Sequence, residues 1–404
     1  MSGEERDRRL LEAWDEFGDA LKRAARVIVR PGVPDTDIDR AEGIRHVART
    51  ITRALEDALE AGDTDRPMLH RLITPWNKSG ADNPDGLYTG CAIDGTANYR
   101  ITGERGTAKV LSFTVTRGPD AVQRGEPGLI GSLFDHDLHV EPDGTFEVLL
   151  VGSSASDADA SSCRNRIQLT ADSASLMIRQ FFEDWEAEVP GTMLIERLPS
   201  PAAPPPQLTT DAVVDALRRV GERCETTLTF WADLQERQKP LRNVVRPLPS
   251  GQRKRRQAIP GGGGCLGYFD LAPEEALLVE FAPPVCAYWN MQIGSYWHES
   301  FDYRNVRCSI NAAQAVVDAD GVVHVVIAAR DAGWANWLDT AGHREGSIGM
   351  RWWQASHVPK VHCEVVRLDE LPERLALTVA RVTPEQRHAD QASRRRAVDR
   401  RFRA

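Results

Sequence analysis

Apolar residues recur at helical spacing over residues 4–29 (Leu10, Leu11, Trp14, Phe17, Leu21, Ala24, Ala25, Ile28) and again over 37–61 (Ile38, Ile44, Val47, Ile51, Leu55, Leu59). This period predicts two helices that pack on whatever follows them. From Tyr88 to about Trp185 the texture changes to short runs of Val, Ile, Thr and aromatics broken by Gly- and Asp-containing turns, the pattern of strands. The stiff Pro-Ala-Ala-Pro-Pro-Pro connector at 201–206 then leads to a third helical period over 209–238, which Thr209 or Thr210 can cap. Residues 246–264 have no apolar period, carry Arg253-Lys254-Arg255-Arg256 and end in four glycines, so they read as a mobile loop. A second strand-rich stretch runs from about Tyr268 to Trp353, and a charged helix starts near Pro384.

The two strand-rich stretches can be laid over one another in three collinear segments. Tyr99–Gly103 through Lys109–Val115 sits over Leu277–Phe281 through Ala287–Ile293. The turn Pro142-Asp143-Gly144 matches Ala319-Asp320-Gly321, each entering a strand. Ser175–Arg179 matches Ser347–Arg351, which pairs Arg179 with Arg351. The expectation is an α+β, mainly β chain with two similar β-sandwich or jelly-roll-like lobes from an internal duplication, and helices at both ends and between the lobes. Its expected divisions are a helical segment at 1–75, a first β lobe at 76–200, a helical connector with the basic, Gly-rich loop at 201–264, a second β lobe at 265–383, and the charged helix at 384–404.

Length and composition fit this picture: 404 residues suit two cores, and 41% hydrophobic with 27% charged residues is ordinary for a globular protein. A net charge of −9 argues against a general nucleic-acid surface. No stretch is long and apolar enough for a membrane span or a signal sequence, so the cytoplasm is the expected compartment. The seven cysteines form no Cys-x-x-Cys pair, which argues against both a disulfide framework and a zinc site. Trp289, Trp297, Trp334, Trp337, Trp352 and Trp353 concentrate an aromatic core or pocket in the second lobe.

The run Asp82-Asn83-Pro84-Asp85-Gly86-Leu87-Tyr88 resembles the start of the amino-terminal lobe of bacterial domain-of-unknown-function family 1254. Tyr288-Trp289 through Gln292, Tyr296-Trp297, Glu299-Ser300 and Tyr303-Arg304, then Asn336–Thr340, Gly342-His343 and Arg351-Trp352, resemble the carboxy-terminal family 1214. Together these cover about residues 76–354. The resemblance implies β-sandwich or jelly-roll-like lobes with helices attached, and it brings no reaction. Pro84 and Gly86 depart from the longer family motif.

Candidate chemistry centres on the loop Asn336–Glu345, whose polar residues cannot all be core. His343, oriented by Asp339, is the candidate acid or base; the alternative is that these residues only satisfy loop amides. Arg351, inside an apolar strand, needs Glu280, Glu299 or Asp339 as an ion partner, or else binds an anionic group. Trp289, Gln292, Tyr296, Trp297, Glu299, Tyr303, Asn336 and Trp337 complete the candidate pocket, since aromatic faces with polar tips suit a small molecule and equally suit a tryptophan-rich core. Trp76, Lys78, Asp82, Asn83, Asp85 and Tyr88 form a polar approach or shape a turn. Asp135, His136, Asp137 and His139 are the densest group of potential metal ligands, and a solvated edge is the plainer reading; no metal or cofactor is expected. Arg253–Arg256 and Arg394-Arg395-Arg396 read as solvated faces.

Two functions remain open. One is a cofactor-independent lyase, hydratase or hydrolase acting on an apolar small molecule with a hydroxyl or anionic group. The other is a non-catalytic small-molecule or carbohydrate-binding protein. A homo-oligomer is compatible with either.

Overall fold

The computed structural model describes residues 2–118, 121, 128–154, 163–248, 262–375 and 379–403. Among the described residues each lobe has nine strands. The first contains β1 (His70–Ile73), β2 (Gly86–Ala92), β3 (Asn98–Glu104), β4 (Val110–Thr116), β5 (Leu129–Phe134), β6 (Thr145–Val151), β7 (Arg166–Gln168), β8 (Ser175–Phe181) and β9 (Thr192–Leu198). The second contains β10 (Val244–Pro247), β11 (Gly262–Asp270), β12 (Glu275–Phe281), β13 (Tyr288–Gly294), β14 (Ser309–Asn311), β15 (Val323–Ala328), β16 (Trp337–Asp339), β17 (Glu345–Trp353) and β18 (His362–Arg367).

The strand order is the same in both lobes. A five-stranded sheet runs β1-β2-β8-β4-β5 in the first and β10-β11-β17-β13-β14 in the second; the four-stranded sheets run β7-β6-β3-β9 and β16-β15-β12-β18. Registers agree as well, because Arg179 sits opposite Ser112 and Arg351 opposite Asn290, the residue that the sequence overlay pairs with Ser112. Both Asp-Gly turns close in the same way: Gly144 N donates to Glu141 O and Gly321 N to Asp318 O, each at 2.9 Å, with both glycines at positive φ. The duplication is therefore present strand by strand.

Alternation along the strands decides what each face does. In β8, Leu176 and Ile178 enter the first-lobe core with Leu111, Phe113 and Val115 of β4, and with Tyr99, Ile101 and Val148 from the four-stranded sheet. In β17, Ile348, Met350 and Trp352 do the same in the second lobe beside Met291, Ile293 and Val325. The opposite faces of the two five-stranded sheets meet each other, and Tyr88, Val110, Phe134, Phe181, Tyr288 and Trp353 form one cluster across the junction. The layers thus run four-, five-, five- and four-stranded.

Helices cover one side of this stack. They are α1 (Gly3–Ala25), α2 (Asp37–Leu55) and α3 (Thr210–Gln238), capped by Ser2, Thr36 and Thr209. Phe17, Val47, Val220 and Leu228 pack with Tyr268, Tyr296 and Trp297 of the second lobe. The last helix, α4 (Pro384–Arg401), has a capping box at Thr383 and Gln386. It lies on the second lobe and the junction, with Ala397 and Val398 in the core.

Several sequence expectations need correction. Residues 70–73 lie within the expected helical segment yet form edge strand β1, which is too short for an alternating pattern to show. Residues 244–247 and 262–264 fall largely within the expected loop and are strands, while 249–261, including Arg253–Arg256, lie outside the described residues. Gly263 pairs with Trp352, and a Cβ there would lie 1.9 Å from the indole nitrogen, so β11 carries glycine where apolar side chains would otherwise have marked a strand. Arg394 is buried, with its guanidinium 4.4 Å over Trp185, and so does not belong to a solvated face.

Candidate functional site

Where the two five-stranded sheets meet, they leave a cavity of about 630 Å³, with α2 and α3 along its side. Its apolar wall includes Leu72 and Ile73 of β1, Met177 and Phe181 of β8, Trp231 of α3 and Trp353 of β17. The size and the mixture of apolar wall with few polar groups are those of a small-molecule site. Among the described residues, six Lys or Arg side chains line it (Arg53, Lys78, Arg117, Arg179, Arg223, Arg351) against two carboxylates, Asp57 and Asp82. That excess of positive charge is local, since the whole chain carries −9.

Arg351 reaches this wall from the middle of β17. Its guanidinium donates to Gln292 Oε1 at 2.5 Å and to the carbonyl of Ala81, both neutral acceptors. None of the carboxylates expected as its partners is within ion-pair reach: Glu280 lies by His324 and His362, and Glu299 by His46 and Arg49. Arg179, at the equivalent place in β8, donates to Thr114 Oγ1 at 3.0 Å; burial depresses its pKa, and the neighbouring Arg351 charge adds to the effect.

A second polar group lies where α2, α3 and β1 meet. Asp57 takes an ion pair from Arg223 at 2.7 Å and stands 3.7 Å from His70. Burial alone would raise the Asp57 carboxyl, but His70 and Arg223 outweigh it and hold it below its usual value; Asp57 in turn raises His70. Arg53 donates to the carbonyl and side-chain oxygen of Asn77 at 3.2 and 3.4 Å, and burial lowers its pKa. Lys78 is buried, donates to the carbonyls of Ser300 and Phe301, and lies 4.7 Å over the Tyr303 ring.

Of the residues expected to form the second-lobe pocket, only Arg351 lines this cavity, joined by Lys78, Asp82 and Tyr88 of the expected polar approach. His343 is buried, with Nδ1 2.8 Å from Asp39 Oδ1 and its ring stacked on Phe301 at 4.8 Å. Asp339 does not orient it: its Oδ1 accepts the Ala341 amide at 2.8 Å, while Asp39, from the start of α2, takes the place expected for it. Asn336 bridges the Val316 backbone through both ends of its amide, and the Trp337 indole donates to Ala328 O at 3.0 Å. Trp289 points into the second-lobe core against Phe281.

The 294–300 loop of the second lobe faces the helices. There Trp297 donates to Asp39 O, Tyr296 to Glu236 at 2.6 Å, and Glu299 receives His46 at 2.7 Å together with Arg49. Gln292 holds the Asp82 carbonyl at 2.9 Å beside Arg351. The amino-terminal run serves the junction. Asp85 accepts Tyr288 Oη at 2.6 Å and Trp185 Nε1 at 2.8 Å, and Asp82 accepts the Ser300 hydroxyl at 2.6 Å. Asp135, His136, Asp137 and His139 lie just beyond β5; His139 contacts Glu141 and Arg164, and no metal-holding group occurs among the described residues.

Sequence reasoning missed Arg53, Asp57, His70, Arg223 and Trp231. Those on helices sat on faces that helical period alone assigns to solvent or to packing.

No family model matches the chain, and neither does any curated protein. Among solved structures, the VPA0106 protein of Vibrio parahaemolyticus is 12% identical over 86% of this chain and 100% of its own, with a TM-score of 0.44. An uncharacterized protein of Burkholderia cenocepacia is 34% identical over 89% of this chain and 99% of its own, with a TM-score of 0.83. That identity, held over nearly the full length of both chains, places the protein in the same family as the Burkholderia cenocepacia protein.

Proposed function

We propose that the protein binds an amphipathic small-molecule anion in the cavity between its lobes. The observation that carries this reading is Arg351, a guanidinium on the cavity wall whose hydrogen bonds among the described residues go to neutral acceptors. A partly desolvated cation without a counter-charge is costly, and a ligand carboxylate or phosphate would relieve that cost with a charge-assisted, bidentate contact. The apolar wall would take the ligand body. In this reading the chain is a cytoplasmic member of a bacterial family resembling the tandem 1254 and 1214 domains.

The test is mass spectrometry of small molecules released from the purified protein, followed by calorimetric titration with the acid found. Arg351→Gln should weaken binding about tenfold or more, as the loss of a charged hydrogen bond worth about 1.5–3 kcal/mol requires. Unchanged affinity in Arg351→Gln refutes the reading.

Catalysis without a cofactor, by a lyase, hydratase or hydrolase, has one observation in its favour: the His70–Asp57 pair on the same wall. His70→Gln would then abolish turnover of the identified ligand and leave its binding intact.

A further inference from the structure

We propose that the ligand of this cavity carries two acidic groups separated by an apolar spacer. The inference rests on the amphipathic-anion reading above and adds the second acid. One cationic pole is formed by Arg179 and Arg351, brought together from equivalent strands of the two lobes. The other is formed by Arg53 and Arg223 with His70 around a single carboxylate, Asp57. Arg223 is matched by Asp57, but Arg53 donates, among the described residues, to Asn77 oxygens alone, so this pole also keeps an excess of positive charge.

Strand registers give the spacing. His70 pairs with Gly90 and Gly90 with Met177, which is two inter-strand steps; Arg179 lies two residues further along β8. With steps of about 4.8 Å between strands and about 3.3 Å along them, the Cα atoms of His70 and Arg179 are about 12 Å apart. Leu72 and Met177, both on the cavity wall, supply apolar surface in this region. A ligand with one acid would leave either Arg351 or the excess positive charge around Asp57 enclosed, whereas an acid at each end meets both.

Calorimetric titration of the full chain with two matched series tests this: straight-chain monocarboxylates from hexanoate to tetradecanoate, and α,ω-dicarboxylates from adipate to tetradecanedioate. A dicarboxylate of intermediate length should bind about tenfold tighter than the monocarboxylate of equal length, one charged contact being worth at least about 1.4 kcal/mol. Arg53→Gln should erase that advantage, Arg53→Lys should retain it, and Arg351→Gln should weaken both series. Equal affinity for the two series, or an advantage that survives Arg53→Gln, overturns the second acid while leaving the single-anion reading in place. Failure of both series to bind overturns both.

Discussion

Replacing Glu299 by glutamine should destabilise the second lobe and the helices on it far more than the change of one atom suggests. Glu299 is 1% exposed, and its two oxygens receive His46 at 2.7 Å and Arg49, both from α2. Burial alone would raise its pKa, but the His46 contact and the Arg49 and Lys78 charges hold the carboxyl below its ordinary 4.5. Glutamine keeps the shape and leaves Arg49, itself 9% exposed, as a buried cation without a carboxylate. Removing one partner of a buried pair costs about 3–5 kcal/mol. With a urea slope of about 1–3 kcal/mol/M, the midpoint should fall by at least about 1 M. Tryptophan fluorescence is a suitable probe because Trp297 stacks on His46 at 5.7 Å. Arg49→Met in the Glu299→Gln background should recover part of the loss, since it removes the orphaned charge. The sign with pH follows from the depressed carboxyl: its contribution is complete above the unfolded value near 4.5 and is lost as pH falls through the lower folded value. Wild type and Glu299→Gln should therefore converge in acid. A midpoint unchanged by Glu299→Gln at neutral pH would refute the reasoning.

His343→Ala should lower stability by about 3 kcal/mol or more by leaving the buried Asp39 carboxylate without its imidazole, while binding in the cavity is unaffected; calorimetry and urea titration of the same sample separate the two. Gly43→Ala should destabilise by about 1–3 kcal/mol despite the roughly 1 kcal/mol gain in helix propensity, because the added Cβ would meet Trp297 at 2.6 Å; a rise in melting temperature would contradict the tight approach of α2 to that ring.

The strands were legible where one face is a core and the turns have their own chemistry. Leu176/Ile178 and Ile348/Met350 alternate with Arg179 and Arg351, and an Asp-Gly turn leads into β6 as another leads into β15, so the duplication is readable in the sequence. Arg351 was legible for the same reason: a cation inside an apolar strand needs an explanation. His343 was misassigned because its partner, Asp39, is 304 residues away and no local spacing reveals it. Asp339 was close in sequence, and its own amide contact used it up. The second pole stayed hidden because Arg53, Asp57 and Arg223 on a helical wheel look like ordinary solvated charge. Only the docking of α2 and α3 beside β1 turns them inward.

Phe181 and Trp353 occupy equivalent positions, as do Val110 and Tyr288, and all four share one cluster across the junction. The same patch used twice is the mark of an isologous contact, in which two identical copies meet about a two-fold axis. The junction thus has the form of an isologous interface inside one polypeptide, with Arg179 and Arg351 at equivalent positions in its two halves. Carrying both halves in one chain makes their encounter independent of concentration. It also releases each half from having to match itself. Tyr88 now pairs with Arg179, while Gly264 occupies the corresponding place beside Arg351, so the two arginines have different cross-strand neighbours. A symmetric pair could not have made that distinction.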